Sequence, residues 1–245
     1  MTSFNLDGLE IPFDAGQTIM EAAMAAGIYI PHLCWHPDFP PHGSCKLCTV
    51  QVNGRWCSAC TFPASEGQEV VSDSEQIRNL RLRLTQMLFI EGNHFCPSCE
   101  KSGLCELQAM GYFVGMTESH FPHFFPKREL DSSHPHVLLD RDRCIFCELC
   151  VRASRDEGKN VFELAGRGDK THLIVNSPSG KLSDSDLEAQ DRAAHICPVG
   201  AIVIKETAFL VPIGRRKYDH RTIAEVSLDE EAPLLRRAQD GKQEG

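Results

Sequence analysis

Arg143-Cys144-Ile145-Phe146-Cys147-Glu148-Leu149-Cys150-Val151-Arg152, with 46 residues between Cys150 and a downstream Cys197-Pro198-Val199-Gly200-Ala201, is the part of this 245-residue sequence that decides the fold. Three thiols spaced C-x₂-C-x₂-C, completed by a Cys-Pro element, form the ligand run of a [4Fe–4S] cubane. In chains carrying two such clusters, the Cys before Pro serves the other cluster and a second C-x₂-C-x₂-C lies upstream of it. Leu187–Ile196 contains no cysteine. Cys197 is therefore expected to close the same cluster as Cys144, Cys147 and Cys150, and the fold must bring the two segments together.

Working outward, the sequence holds twelve cysteines. Cys34, Cys45, Cys48, Cys57 and Cys60 form a first group, Cys96, Cys99 and Cys105 a second, and the four above a third. This density is well short of the roughly 8–10% that marks a short secreted disulfide scaffold. The opening Met1-Thr2-Ser3-Phe4-Asn5-Leu6-Asp7 has neither the basic nor the apolar region of an export signal. The expected location is the reducing cytoplasm, where thiols serve as metal ligands or redox groups. A net charge of −9 disfavours nucleic acid, whose phosphates demand a basic face, and no nucleic-acid partner is expected. No apolar run reaches the roughly 18 residues that cross a bilayer, so no membrane partner is expected.

Two hairpins are expected around Asp7-Gly8 and Asn53-Gly54, with a helix at Thr18–Ala26 ended by Gly27. Ser72–Ile90 reads as the clearest helix, with Ser72 and Glu75 as a capping box and Gly92 as its stop. Ile77, Leu80, Leu84, Met87 and Leu88 form its apolar stripe, and Arg78, Arg81 and Arg83 are assigned to its solvated face. A shorter helix starts at Cys105. Residues 111–135, rich in Phe, His and Pro, read as an ordered loop. Leu138–Ile204 follows a ferredoxin-like pattern, with a hairpin around Gly166-Arg167-Gly168 and a strand at His172–Val175. Beyond Val211 the sequence is charged, and 212–245 is expected to be mobile or ordered only against a partner.

The first cysteine group admits two readings. Cys45, Cys48, Cys57 and Cys60 make two CxxC knuckles for zinc, although the eight residues between them fall short of the usual roughly 15–20. Cys34, Cys45, Cys48 and Cys60 instead give a close pair with more distant ligands, as a [2Fe–2S] cluster requires. The second group supplies only three thiolates, at x₂ and x₅ spacing. Arg141, Arg143, Arg152 and Arg155 lie near the third group, either to offset its charge or as ordinary solvated side chains. No G-x-G-x-x-G, no G-x-x-x-x-G-K and no nucleophile–base pair is present, so the chain itself has no site for transforming a substrate.

Pro31-His32-Leu33-Cys34-Trp35-His36-Pro37, Gly43-Ser44-Cys45-Lys46-Leu47-Cys48 and Ala59-Cys60-Thr61-Phe62-Pro63 resemble the [2Fe–2S] domain of the large iron–sulfur subunit of respiratory complex I. NAD-linked hydrogenases and formate dehydrogenases share that domain. The resemblance implies Cys34, Cys45, Cys48 and Cys60 as ligands and leaves Cys57 as a spare thiol. In Asn93-His94-Phe95-Cys96-Pro97-Ser98-Cys99 through Cys105 it implies a [4Fe–4S] cluster held by His94, Cys96, Cys99 and Cys105. The common pattern places that histidine at position 92, which is glycine here; His120, His123, His134 and His136 are the rivals. The whole resembles the small diaphorase subunit of soluble NAD-reducing [NiFe] hydrogenases.

That resemblance implies an α+β chain with a β-grasp [2Fe–2S] ferredoxin domain (1–72), a small helical His/Cys₃ [4Fe–4S] domain (73–117), a ferredoxin-like [4Fe–4S] domain (118–211) and a charged tail (212–245). One [2Fe–2S] and two [4Fe–4S] clusters would relay electrons between the hydrogenase small and large subunits and a flavin- and NAD-binding diaphorase subunit. Within the same family, an NAD-dependent formate dehydrogenase or a multimeric iron-only hydrogenase is the alternative. A zinc-organised scaffold is the alternative of a different class.

Overall fold

At Asp7-Gly8 and Asn53-Gly54 both residues take positive φ, 51° and 88° in the first pair and 48° and 77° in the second. A two-residue hairpin turn needs that backbone, and Asx-Gly adopts it at little steric cost. The first turn joins β1 (Ser3–Leu6) to β2 (Leu9–Pro12), the second β3 (Thr49–Val52) to β4 (Arg55–Ser58). β5 (Glu69–Val71) runs parallel to β1 and antiparallel to β3, giving the order β2-β1-β5-β3-β4. Phe4, Leu6, Val50, Val52 and Val70 share one core with Ile19, Met20 and Met24 of α1 (Ile19–Ala25). α1 opens on a capping box, in which Glu21 N–H donates to Thr18 Oγ1 (3.2 Å) and Thr18 N–H to Glu21 Oε2 (2.7 Å).

The computed structural model describes residues 2–235. It comprises two compact units: one runs to Thr85 and includes Met110–Met116 and residues 221–235; the other comprises Gln86–Ala109 and Thr117–His220. In the second unit, β7 (Val137–Asp140) pairs antiparallel with β6 (Leu130–Asp131) and β10 (Ile202–Ile204). β8 (Phe162–Ala165) and β9 (His172–Val175) form the expected hairpin. α4 (Leu149–Asp156) and α5 (Arg192–His195) pack together. α3 (Glu106–Phe113) begins one residue after Cys105. No described helix is long and apolar enough to cross a membrane.

α2 (Glu75–Ile90) forms as expected, but its details correct the reading. The Ser72 hydroxyl donates to Asp7 Oδ2 (2.6 Å), and Ser74 Oγ accepts the Ile77 N–H instead (3.3 Å). Met87 is 46% exposed, whereas Arg81, assigned to solvent, is 6% exposed. Arg81 Nε donates to Leu47 O (3.0 Å), Nη1 to Ser72 O (2.8 Å) and Nη2 to Thr49 O (3.2 Å). Buried loop carbonyls must find donors, and this fork supplies three. Burial lowers the pKa of Arg81 to about 10.

The segment from 212 also departs from the mobile tail that its charge suggested. Tyr218 N–H donates to Gly103 O (3.0 Å) and Arg216 pairs with Asp219 (2.7 Å). α6 (Ile223–Glu230) carries its own capping box of Thr222 and Glu225. Leu228 and Leu235 pack against the core of the first unit, and His32 Nε2 lies 2.9 Å from Glu231 Oε2. Apolar residues at helical spacing between the charges account for this order. Residues 236–245 of the same stretch lie outside the described residues.

Candidate metal centres

The first unit gathers four of the five cysteines of the first group. Cys34 follows α1, Cys45 and Cys48 precede β3, and Cys60 follows β4. Cys45 N–H donates to Cys34 Sγ (3.4 Å), and the sulfurs of Cys48 and Cys60 are 3.3 Å apart. Contact with Cys45 lowers the pKa of Cys34 to about 5, and the same contact raises that of Cys45. Cys60 and burial raise Cys48, which also feels the charge of Cys34. Lys46, between Cys45 and Cys48, adopts a left-handed backbone (φ 58°), a strained state that bends the loop around the sulfurs. Two of the carbonyls bound by Arg81, those of Leu47 and Thr49, flank Cys48. Cys57 stands apart, on β4 opposite Val50, with burial as the main cause of its raised pKa.

In the second unit, Cys96 and Cys99 bracket a short turn opened by Pro97. Cys105 sits at the start of α3, where the Leu107 and Gln108 amides donate toward its sulfur. Burial nevertheless raises the Cys105 pKa to about 12, with smaller contributions from Cys99 and Cys96. The His94 ring lies edge-on to Phe89 at 5.5 Å and hydrogen-bonds the Leu88 carbonyl. Its Nε2 is buried with no hydrogen-bond partner. Burial first, then the Arg143 charge, lowers its pKa to about 4. A neutral ring fixed through one nitrogen, with the lone pair of the other unused, is the arrangement of a metal-ligating histidine.

Gly92 explains the altered spacing. A Cβ there would lie 2.5 Å from His94 Nε2 and 2.6 Å from Asp142 O. The position that carries histidine in the common pattern is thus the space into which the His94 ring folds. The rival histidines lie in other settings. His134 Nε2 faces Leu187 O (3.2 Å), His136 pairs with Glu206 (2.5 Å), and His120 and His123 lie against Phe121 and Phe125.

Cys144, Cys147, Cys150 and Cys197 together line one cavity with the apolar side chains of Phe146, Leu164, Leu173 and Val199. Burial is the largest cause of the raised pKa of Cys144, Cys147 and Cys150, and each also feels the charge of Cys197. Phe146 (φ 54°) and Glu148 (φ 57°) repeat the left-handed device of Lys46 between successive cysteines. The nearby arginines divide by role. Arg141 is buried and donates to Leu173 O (2.8 Å) and Glu129 O (3.2 Å), Arg152 donates to Cys147 O (3.1 Å), and Arg155 pairs with Glu163 at the surface (3.2 Å). Arg143 turns toward the second group, its Nη1 3.7 Å from Cys99 Sγ.

Among the described residues, no three His, Cys, Asp or Glu side chains form a group that could hold a single metal ion. The orphaned His94 nitrogen and the cavity walled by four cysteines both fit iron–sulfur clusters.

The second and third groups meet directly. Glu106 N–H donates to Pro198 O (2.8 Å), and a Cβ on Gly200 would lie 2.8 Å from Cys99 Sγ and 3.4 Å from Arg143 Nη1. Gly200→Ala is expected to displace that sulfur and cost about 1–3 kcal/mol, read as a lower urea midpoint. An unchanged midpoint would show that the contact yields.

Comparison with known proteins places these groups in known modules. Residues 1–75 match a 2Fe-2S iron-sulfur cluster binding domain, 81–120 an NADH-ubiquinone oxidoreductase-G iron-sulfur binding region, and 137–204 a 4Fe-4S single cluster domain. The NAD-reducing hydrogenase HoxS subunit gamma of Cupriavidus necator is 40% identical over 228 residues, covering 92% of this chain and 97% of that protein. The mitochondrial NADH-ubiquinone oxidoreductase 78 kDa subunit of Candida albicans is 32% identical over 83% of this chain, which matches only 28% of its length. A chain of the NAD+-reducing [NiFe]-hydrogenase crystal structure in the H2-reduced state superposes with a TM-score of 0.91, at 54% identity, covering 94% of this chain and 98% of its own. The chain belongs to the family of NAD-reducing hydrogenase gamma subunits, an iron–sulfur family related to the G subunit of complex I.

Proposed function

We propose that the chain is the electron-relay subunit of an NAD-reducing hydrogenase, carrying one [2Fe–2S] and two [4Fe–4S] clusters. Cys34, Cys45, Cys48 and Cys60 would hold the first; His94, Cys96, Cys99 and Cys105 the second; Cys144, Cys147, Cys150 and Cys197 the third. Residues 1–72, 73–117 and 118–211 are assigned to a β-grasp domain, a small helical domain and a ferredoxin-like domain in turn. Its partners are a flavin- and NAD-binding diaphorase subunit on one side and the hydrogenase small and large subunits on the other, in the cytoplasm. The assembly would interconvert H₂ + NAD⁺ and NADH + H⁺.

The observation that carries this reading is the convergence of Cys144, Cys147 and Cys150 with Cys197, from far along the sequence, on one apolar cavity. Bound clusters supply one-electron redox chemistry. The chain's own residues bury the sulfurs from water, bend the loops with left-handed residues, and aim backbone amides at the thiolates. Burial, ligand type and such donors are the levers that set a cluster's potential. Anaerobically purified protein is expected to contain about ten irons per chain with matching acid-labile sulfide, and to turn over neither NADH nor H₂ alone. Stoichiometric zinc without sulfide, or turnover by the lone chain, would overturn the reading.

A further inference from the structure

Arg143 precedes Cys144 in sequence, yet its guanidinium serves the other group. Nη1 lies 3.7 Å from Cys99 Sγ, 3.4 Å from Gly200 O and 2.5 Å from Glu100 Oε2. Nε lies 2.8 Å from Asp140 Oδ2, which holds the fork from the opposite end. The three side chains are largely withdrawn from water, at 19%, 22% and 13% exposed for Arg143, Glu100 and Asp140. Glu100 directly follows Cys99, so one fixed positive and one fixed negative charge flank the same sulfur. Partial burial weakens the screening that would mute them at an open surface.

We propose that Arg143 is a positioning residue that raises the reduction potential of the cluster held by His94, Cys96, Cys99 and Cys105, with Glu100 opposing it. The inference rests on the cluster assignment above and adds to it which side chains set that cluster's energy. Reduction adds negative charge to the cluster. A guanidinium against a ligand sulfur favours that step, both as a charge and as a donor, and a neighbouring carboxylate disfavours it.

The test is EPR-monitored redox titration of the complete assembly carrying Arg143→Gln, Arg143→Lys or Glu100→Gln. Both neutralising variants break the same ion pair, so a purely structural role moves the potential in the same direction in both. The charge role moves it in opposite directions. Arg143→Gln is expected to disfavour reduction about tenfold, equivalent to about 59 mV for one electron, and Glu100→Gln to favour it by a similar factor. Arg143→Lys retains most of the original potential. The cluster of Cys144, Cys147, Cys150 and Cys197 shifts less, because the ligand sulfur that the guanidinium contacts is that of Cys99. Shifts of equal sign, or none, overturn the proposal; if Arg143→Gln fails to assemble, the signs from Glu100→Gln and Arg143→Lys decide. Absence of the histidine-ligated signal from the unaltered assembly overturns the cluster assignment itself.

Discussion

Cys60→Ser is expected to abolish the [2Fe–2S] signal of the reduced protein while both [4Fe–4S] signals persist, and Cys57→Ser is expected to leave all three. The two cysteines form one CxxC and look interchangeable in sequence, but the fold separates them. Cys60 is fully buried with its sulfur 3.3 Å from that of Cys48. Cys57 lies on β4, half-buried, packed against the edge of the hydrophobic core. Serine at 57 should change stability by no more than about 0.5 kcal/mol, the usual range for a peripheral substitution. Serine at 60 replaces a soft thiolate with a hard hydroxyl and should release about two irons per chain. Iron analysis alongside EPR reads both outcomes. Loss of the [2Fe–2S] signal in Cys57→Ser would reverse the ligand assignment.

Arg81→Met carries the next largest effect. The substitution preserves much of the side chain's apolar length but strips donors from the carbonyls of Leu47, Ser72 and Thr49. A buried group left unsatisfied costs about 1–3 kcal/mol, so the first unit should lose about 3–5 kcal/mol after partial relaxation. The damage should reach the site, because two of those carbonyls flank Cys48. Arg81→Lys offers a point charge in place of a fork and should recover only part of the loss. Urea unfolding of the iron-loaded protein, followed by far-UV dichroism and by the [2Fe–2S] absorbance, measures both effects. An unchanged midpoint in Arg81→Met would mean that water replaces the guanidinium freely.

The two cases show what sequence does and does not carry. Cysteine spacing marks the third group because ligand geometry constrains spacing directly, and the Asx-Gly turns mark both hairpins for the same local reason. Cys57 and Cys60 are a different matter. Which sulfur points inward depends on β4 ending between them, and that is settled by pairing with β3. Arg81 is the converse case: at 100° per residue it falls about 40° from Ile77 and about 20° beyond Leu88, at the rim of the apolar arc rather than opposite it. Polarity argued against burial, and only the stranded loop carbonyls explain it. Gly92 and His94 likewise need three dimensions, since the ring fills space that a side chain at 92 would occupy. Gly200 and Arg143 have no local signature at all, as both act on Cys99 across a long stretch of sequence.

Low-temperature EPR of the chain, reduced stepwise under anaerobic conditions, tests the central claim most directly. The account predicts about three spins per chain, one with [2Fe–2S] character and two with [4Fe–4S] character, with nitrogen hyperfine coupling on one of the latter that disappears in His94→Cys. A folded, assembly-competent protein that is colourless and gives no such spectrum would contradict it.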